Sequence, residues 1–459
     1  MAIPTYEPGY RMVLAAALYS SFAGLAVYVK YRKGPQEIRL THRDGDSVSF
    51  TTPDRELLLT KRASYTSFNS PMGGYDEAYD FNLMNDRVLR GMDIDYTMTN
   101  YTHEKHDRFQ GDRSLSKIPN SQRATFLSDS GGLQIVRGQL DKIHPQDLAK
   151  FYINTVDAGM ALDIPIGNID IKTLVRAAEL QRKNTNIMLD TINEAGSKTG
   201  ILNIFHGYTT DERNIYRDIV EDKRVDRCAI GGVYSQGMLA SVNTIISMCQ
   251  GMHYKQYHVL GVFSYVYIAL LVKISHFTQK HITSDTTSFT QAALNKLYVH
   301  QPDESFMPRS LKIGRSESTG NSFRILKDQC PVCEAIKYTD ILGMVDSDPT
   351  IRLLSIHNAL EMKRYADSLN EAVKVLSPTQ YNNLVYKQMH KHGDKAELKQ
   401  CFDFIDIAAD KSLKKAQEKY KKFTNNVRRA PNANRTLFGE QGLTKDYDAI
   451  LTKMEKQIA

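Results

Sequence analysis

The stretch LNIFHGYTTDERNIYRDIVEDKRVDRCAIGG, Leu202 to Gly232, holds one complete unit of the fold. It opens on a short β-prone run that ends at His206 and Gly207, and closes on a second such run that ends at Gly231 and Gly232. Between them, TDERNIYRDIVED has helical periodicity with Thr210 or Asp211 as its cap. A strand, a loop, a helix and a return fit this spacing.

The same unit recurs in both directions along the chain. Similar runs are SYTSFNSP near 64, DYTMTNY near 95, ATFLSD ending at Asp129, MALDIP around Asp163, HVLGV ending at Val262 and HITSD ending at Asp285. With the two runs above they make eight candidate strands. PQDLAKFYINTVDAG, the long IKTLVRAAELQRKNTNIMLDTINEAG and SQGMLASVNTIISMCQG read as the intervening helices. Eight such units predict an α/β fold, an irregular (β/α)8 TIM-type barrel, whose active site lies where the C-terminal ends of the strands meet.

Composition sets the outer bounds. A chain of 459 residues with 41% hydrophobic residues can bury one large core or two ordinary ones, and excludes a disordered protein. The formal charge of +7 is modest, but basic residues gather late, in KSLKKAQEKYKKF and NNVRRAPNANR. Such a face suits a polyanionic partner or is a solvated helix. Five cysteines do not make a disulfide framework in a chain this long, so a reducing, cytoplasmic setting is expected. Val13 to Val29, 17 residues without formal charge, reads as a buried helix running into an edge strand rather than as a membrane span or export signal.

The chemistry-bearing residues fall at strand ends. Asp129, Asp163 and Asp285 would converge on one mouth with His206, Gly231 and Gly232. A single strand-end aspartate is ordinarily a helix cap or turn former. Three at one mouth are different, because crowded carboxylates repel unless one holds a proton or meets a donor. Paired carboxylates with different roles are what cleavage of a glycosidic bond requires.

These residues also carry a family resemblance. DSGGLQ at 129–134, MALDIP at 160–165, FHGY at 205–208, AIGG at 229–232, HVLGV at 258–262, CPVC at 330–333 and HN at 357–358 occur in the order found in the guanine transglycosylases. Those enzymes exchange guanine for a 7-deazaguanine base in tRNA, and their fold is likewise an irregular (β/α)8 barrel. The resemblance covers roughly residues 60 to 375. It implies that Asp285 is the nucleophile that attacks C1′ and holds the sugar covalently, and that Asp129 transfers the proton, with Ser130, Gly131 and Gly132 completing its loop. It further implies that Asp163 accepts hydrogen bonds from N1 and the 2-amino group of guanine, while Gly231 and Gly232 contact the far edge and 7-substituent of the base.

The departures shape the expectation too. Leu133 stands in place of the aromatic residue of the usual DSGGFQ, Leu260 in place of a methionine, and His206 in place of a glutamine that binds the guanine oxygen. The stretch after Asp285 reads SDTTSFTQAAL, without the proline and arginine of the tRNA enzymes. The family's structural zinc site has three cysteines and a histidine; here Cys330, Cys333 and His357 remain, and Asp328 takes the first cysteine's place. Carboxylate oxygen is an acceptable zinc ligand.

The resulting organisation is an N-terminal extension at 1–60, a transglycosylase-like barrel at 61–376 with its zinc region at 328–358, and a basic helical extension at 377–459. The first expectation is a DNA guanine transglycosylase taking a 7-deazaguanine base such as a 7-cyano or 7-aminomethyl derivative. A divergent tRNA enzyme and a non-catalytic nucleic-acid-binding partner subunit remain open beside it. A homodimer is compatible with the sequence, and a membrane partner is not expected.

Overall fold

A computed structural model describes residues 7–15, 25–33, 37–42, 47–51, 55–63, 77–81, 96–100, 125–136, 143–166, 170–233, 236–262, 264–286, 288–295, 297–300, 309–314, 348–388, 395–422 and 447–458. Its strands are β1 (Gly9–Ala15), β2 (Leu25–Lys33), β3 (Glu37–His42), β4 (Ser47–Thr51), β5 (Arg55–Ala63), β6 (Glu77–Phe81), β7 (Tyr96–Asn100) and β8 (Thr125–Asp129). They continue with β9 (Ala158–Met160), β10 (Gly200–Phe205), β11 (Arg227–Ile230), β12 (Gln256–Val259), β13 (His281–Thr286), β14 (Leu297–His300) and β15 (Arg309–Gly314).

The fold is mixed α/β, and its centre is a parallel sheet that curls into a barrel in the order β1, β13, β12, β11, β10, β9, β8, β7. β1 closes it, pairing in parallel with β13 on one side and β7 on the other. The register can be followed once around. His281 opposes Gln256, then Arg227, Leu202 and Met160; one step beyond the β8–β9 pairing lies Asp129, which opposes Asn100. Extending the β7 and β1 registers brings the path back to the β13 line at residue 289, eight residues above its start. A shear of about eight on eight strands is the TIM-barrel relation, so the sheet is compatible with a TIM-like α/β fold.

Six of the eight barrel strands follow the runs read in the Leu202–Gly232 unit and its repeats from DYTMTNY onward, and MALDIP contributes only its first residue, Met160, to the short β9. The first strand differs. The sequence reading placed it near residue 64, inside the barrel segment beginning at 61, but Gly9–Ala15 fills that place between β13 and β7, while 64–76 lie outside the described residues. The apolar stretch read as a helix is extended at both ends, as the last residues of β1 and the first of β2, with 16–24 outside the described residues. Apolar composition alone does not separate a buried strand from a buried helix, and here the β-branched and aromatic residues belong to sheets. β2 lies in an antiparallel sheet of order β5, β2, β6, and β3 and β4 join β14 and β15 in another. No helix among the described residues is long and apolar enough to cross a membrane.

Two apolar clusters hold the barrel. Inside it, Val13, Leu127, Ala158, Met160, Leu202, Ile204 and Ala229 pack together. Outside, the strands' other faces meet the helices, including Ile171–Glu194, Thr210–Val220, Met238–Gly251 and Tyr265–Thr278. The helix Thr210–Val220 begins with a capping box in which Thr209 accepts from Glu212 N and the Glu212 side chain answers the Thr209 backbone N–H. The cap is therefore Thr209, ahead of both Thr210 and Asp211 read from sequence, and such a cap contributes about 1 kcal/mol.

The described helices after 377 are tied to the rest of the fold. The helix Lys395–Asp410 joins the barrel's shell through a buried Lys273, whose Nζ lies 2.5 Å from Asp406 and 2.6 Å from Asn382 Oδ1. The last helix, Tyr447–Ile458, is held to Ile171–Glu194 by Arg176, which bonds Glu455 and Asp448.

Candidate active site at the barrel mouth

Side-chain alternation along a strand decides which residues face the barrel axis. Leu127 belongs to the interior cluster, so Asp129, two residues on, shares its face at the end of β8. Val13 belongs to the same cluster and is the register partner of Asp285, so the Asp285 side chain also faces inward at the end of β13. The two carboxylates expected to carry the chemistry therefore both face the axis at the C-terminal ends of their strands.

Asp285 is held from above and from the side. Its Oδ1 accepts the Gly261 N–H at 2.8 Å, which a left-handed Gly261 (φ 65°) turns toward it, and lies 3.5 Å from His258 Nε2. Burial would raise this carboxyl, but His258 and the Gly261 amide outweigh burial and keep it below the ordinary carboxylate value. After it, the chain forms a short helix, Ser288–Leu294, with Thr286 Oγ1 accepting from Ser288 N at 2.9 Å and Phe289 buried.

Ser130, Asp163 and His206 form a second group past the ends of β8, β9 and β10. Ser130 Oγ accepts from Gly132 N at 3.2 Å and donates to Asp163 Oδ1 at 2.9 Å. His206 Nε2 is 2.7 Å from Asp163 Oδ2. The His206 ring meets Tyr216 edge-on at 5.5 Å, and Tyr216 donates to Gln181 Oε1 at 2.5 Å, whose amide in turn donates to Asn203 Oδ1 and the Ile204 carbonyl. Burial, then the Asp163 charge, push the Tyr216 phenol well above its ordinary value, so it stays a donor.

The glycines serve this group directly. A Cβ on Gly132 would stand 2.1 Å from the Asp163 carbonyl oxygen, and one on Gly231 would stand 2.5 Å from His206 Nδ1. Both positions need glycine because the protein's own groups approach there, whatever ligand the loops also meet. Gly131 (φ 82°) and Gly232 (φ 75°) take the left-handed turns that let the two loops do so. Leu133 is half-buried, and Leu260 packs against the interior cluster from the mouth.

Sequence reading assigned His206 to the base. Its Nε2 lies 2.7 Å from Asp163 Oδ2, so the ring braces that carboxylate, and a side chain at Gly231 would crowd its Nδ1. It missed His258, Gly261, Tyr216 and Gln181. His258 carried a signal, being a polar residue two positions before Leu260 in a strand otherwise buried on both faces.

Of the expected zinc ligands, Asp328, Cys330 and Cys333 lie outside the described residues. His357 is fully buried, stacks on Tyr298 at 4.1 Å and donates from Nε2 to the Val299 carbonyl at 2.7 Å. Asn358 beside it bonds Val299 N and the Leu297 carbonyl and so fixes β14. In comparisons with known proteins, no family model and no curated protein matches the chain.

Proposed function

We propose that the chain is a DNA guanine transglycosylase, exchanging guanine for a 7-deazaguanine base through a glycosyl-aspartate intermediate. The observation that carries this reading is the pair Asp129 and Asp285, both facing the axis at the mouth of one barrel, with Asp285 kept ionised. Asp285 attacks C1′, the C1′–N9 bond breaks with its electron pair on the departing guanine, and Asp129 delivers the proton that the base takes up. The incoming base then attacks C1′, the ester bond breaks, and its N9 proton returns to Asp129.

Asp163 is the base-reading carboxylate. Each of its oxygens accepts one internal hydrogen bond and keeps a second lone-pair direction for the N1–H and 2-amino donors of guanine. Leu133 and Leu260 supply apolar contact to the base faces. Zinc, when bound, would be held by Cys330, Cys333, His357 and Asp328 and would join the 328–358 region to β14 as a structural centre; metal analysis of protein purified without added zinc tests it.

DNA is favoured over tRNA because the stretch after Asp285 folds into the Ser288–Leu294 helix without the proline and arginine of the tRNA enzymes; the exposed Lys414, Lys415, Lys421 and Lys422 suit either polyanion. A duplex target must be flipped out at a cost of a few kcal/mol, which phosphate contacts offset. Nucleoside analysis of DNA and of tRNA, separately, from cells expressing the chain with 7-deazaguanine precursors is the test. Modified base in tRNA alone moves the substrate to tRNA, and modified base in neither polymer removes the enzymatic reading.

A further inference from the structure

His258 sits fully buried on the inward face of β12, as the register partner of Ala229 and of Thr283. Its Nδ1 is 2.9 Å from Thr283 Oγ1, and its Nε2 lies 3.5 Å from Asp285 Oδ1 with no closer hydrogen-bond partner among the described residues. With the Thr283 hydroxyl donating to Nδ1, the ring proton resides on Nε2 and faces the carboxylate. Gly261 N–H bonds the same oxygen at 2.8 Å, while among the described residues no hydrogen bond from another residue meets Oδ2.

We infer that His258 is a positioning residue for Asp285: together with the Gly261 amide it holds Oδ1, so that Oδ2 is the oxygen that attacks C1′ and Oδ1 becomes the carbonyl oxygen of the sugar ester. This rests on the glycosyl-aspartate reading above. In the first step the Oδ2–C1′ bond forms as C1′–N9 breaks. In the second, the incoming N9 bonds C1′, the C1′–Oδ2 pair returns to the carboxylate, and the two N–H groups receive the charge reappearing on Oδ1. Donors fixed where charge develops accelerate the step that develops it. The depressed Asp285 carboxyl is in keeping with this contact. The competing role is structural, a core histidine whose need is met by Thr283.

The test uses the full chain and guanine-containing DNA, with the protein–DNA adduct quantified after denaturation and its breakdown timed on adding a 7-deazaguanine base. His258→Phe, which keeps the ring's bulk and removes the donor, is expected to slow adduct breakdown about 10- to 100-fold, and His258→Gln, which restores an N–H, to stay within about threefold of wild type. Wild-type breakdown in both variants, or an equal loss in both with a matching loss of stability, overturns the inference. Absence of any adduct from the wild-type chain instead sinks the reaction reading on which it rests. Should His258→Phe not fold, Thr283→Val is the readout: releasing the ring should slow breakdown about 3- to 10-fold, and an unchanged rate overturns the positioning role.

Discussion

His206 Nε2 stands 2.7 Å from Asp163 Oδ2, with each side chain only 5% exposed. The contact joins the loop after β10 to the loop after β9, and Ser130 extends it to the loop after β8. Three mouth loops are thereby set against one carboxylate, and in the proposed reaction the histidine would act on a base through Asp163.

Removing Asp163 should therefore do two kinds of damage. Asp163→Ala leaves Ser130 and His206 without their partner, a cost of about 3 kcal/mol in a urea melt, and abolishes base binding. His206→Gln retains an N–H for the carboxylate and should lose less than about 1 kcal/mol, with base affinity within a few-fold of wild type. Equal loss in the two variants contradicts the bracing role.

The two mouth aspartates should separate kinetically. Asp285→Asn should yield no protein–DNA adduct under denaturing work-up, whereas Asp129→Asn should still form it while base exchange falls by about 10²- to 10⁴-fold, the range for lost proton transfer. An adduct that survives in Asp285→Asn and vanishes in Asp129→Asn reverses the assignment.

At the opposite end of the barrel, His281 should make the fold acid-sensitive. Burial, then the Arg11 and Arg227 charges, lower it to about 4 against the pull of its bond to the Glu7 carbonyl. The unfolded chain binds this proton below about 6.5 while the folded chain refuses it until about 4, so stability is lost as pH falls through that window, by up to about 3 kcal/mol. In His281→Gln the difference from wild type should grow with pH in that range, as read from urea midpoints. Parallel curves for the two proteins would falsify the linkage.

The basic segment should show itself through salt. Reversing charge at Lys414, Lys415, Lys421 and Lys422 should weaken duplex binding and flatten the log–log salt dependence by about 0.9 per lost phosphate contact. An unchanged slope returns these lysines to the role of a solvated face. Lys419 is left intact in that variant because it pairs with Asp403 at 2.6 Å and holds the Leu413–Lys419 helix to its neighbour.

Gly132 gives a packing test of the same site. A methyl group there meets the Asp163 carbonyl within contact distance, so Gly132→Ala should cost about 1–3 kcal/mol and displace the loop that carries Ser130. Base binding should fall with stability; a fully stable variant that binds normally contradicts the loop geometry.

Local sequence was enough for six of the eight barrel strands and for the position of Asp129 and Asp285 at strand ends. Both follow from short-range physics: period-two and period-3.6 burial, and turn residues that stop each element. The identity of the first barrel strand did not follow, because Gly9–Ala15 reaches its place only by pairing with strands that lie far away along the chain, and an apolar run carries no mark of such a partner. The roles within the mouth divide in the same way. Residue type and spacing pointed to the carboxylates, but only the closed sheet, with its stagger of about eight residues, decides that His206 braces Asp163 and that His258 and the Gly261 amide share one oxygen of Asp285, since hydrogen-bond partners across a barrel are chosen by register and not by sequence separation.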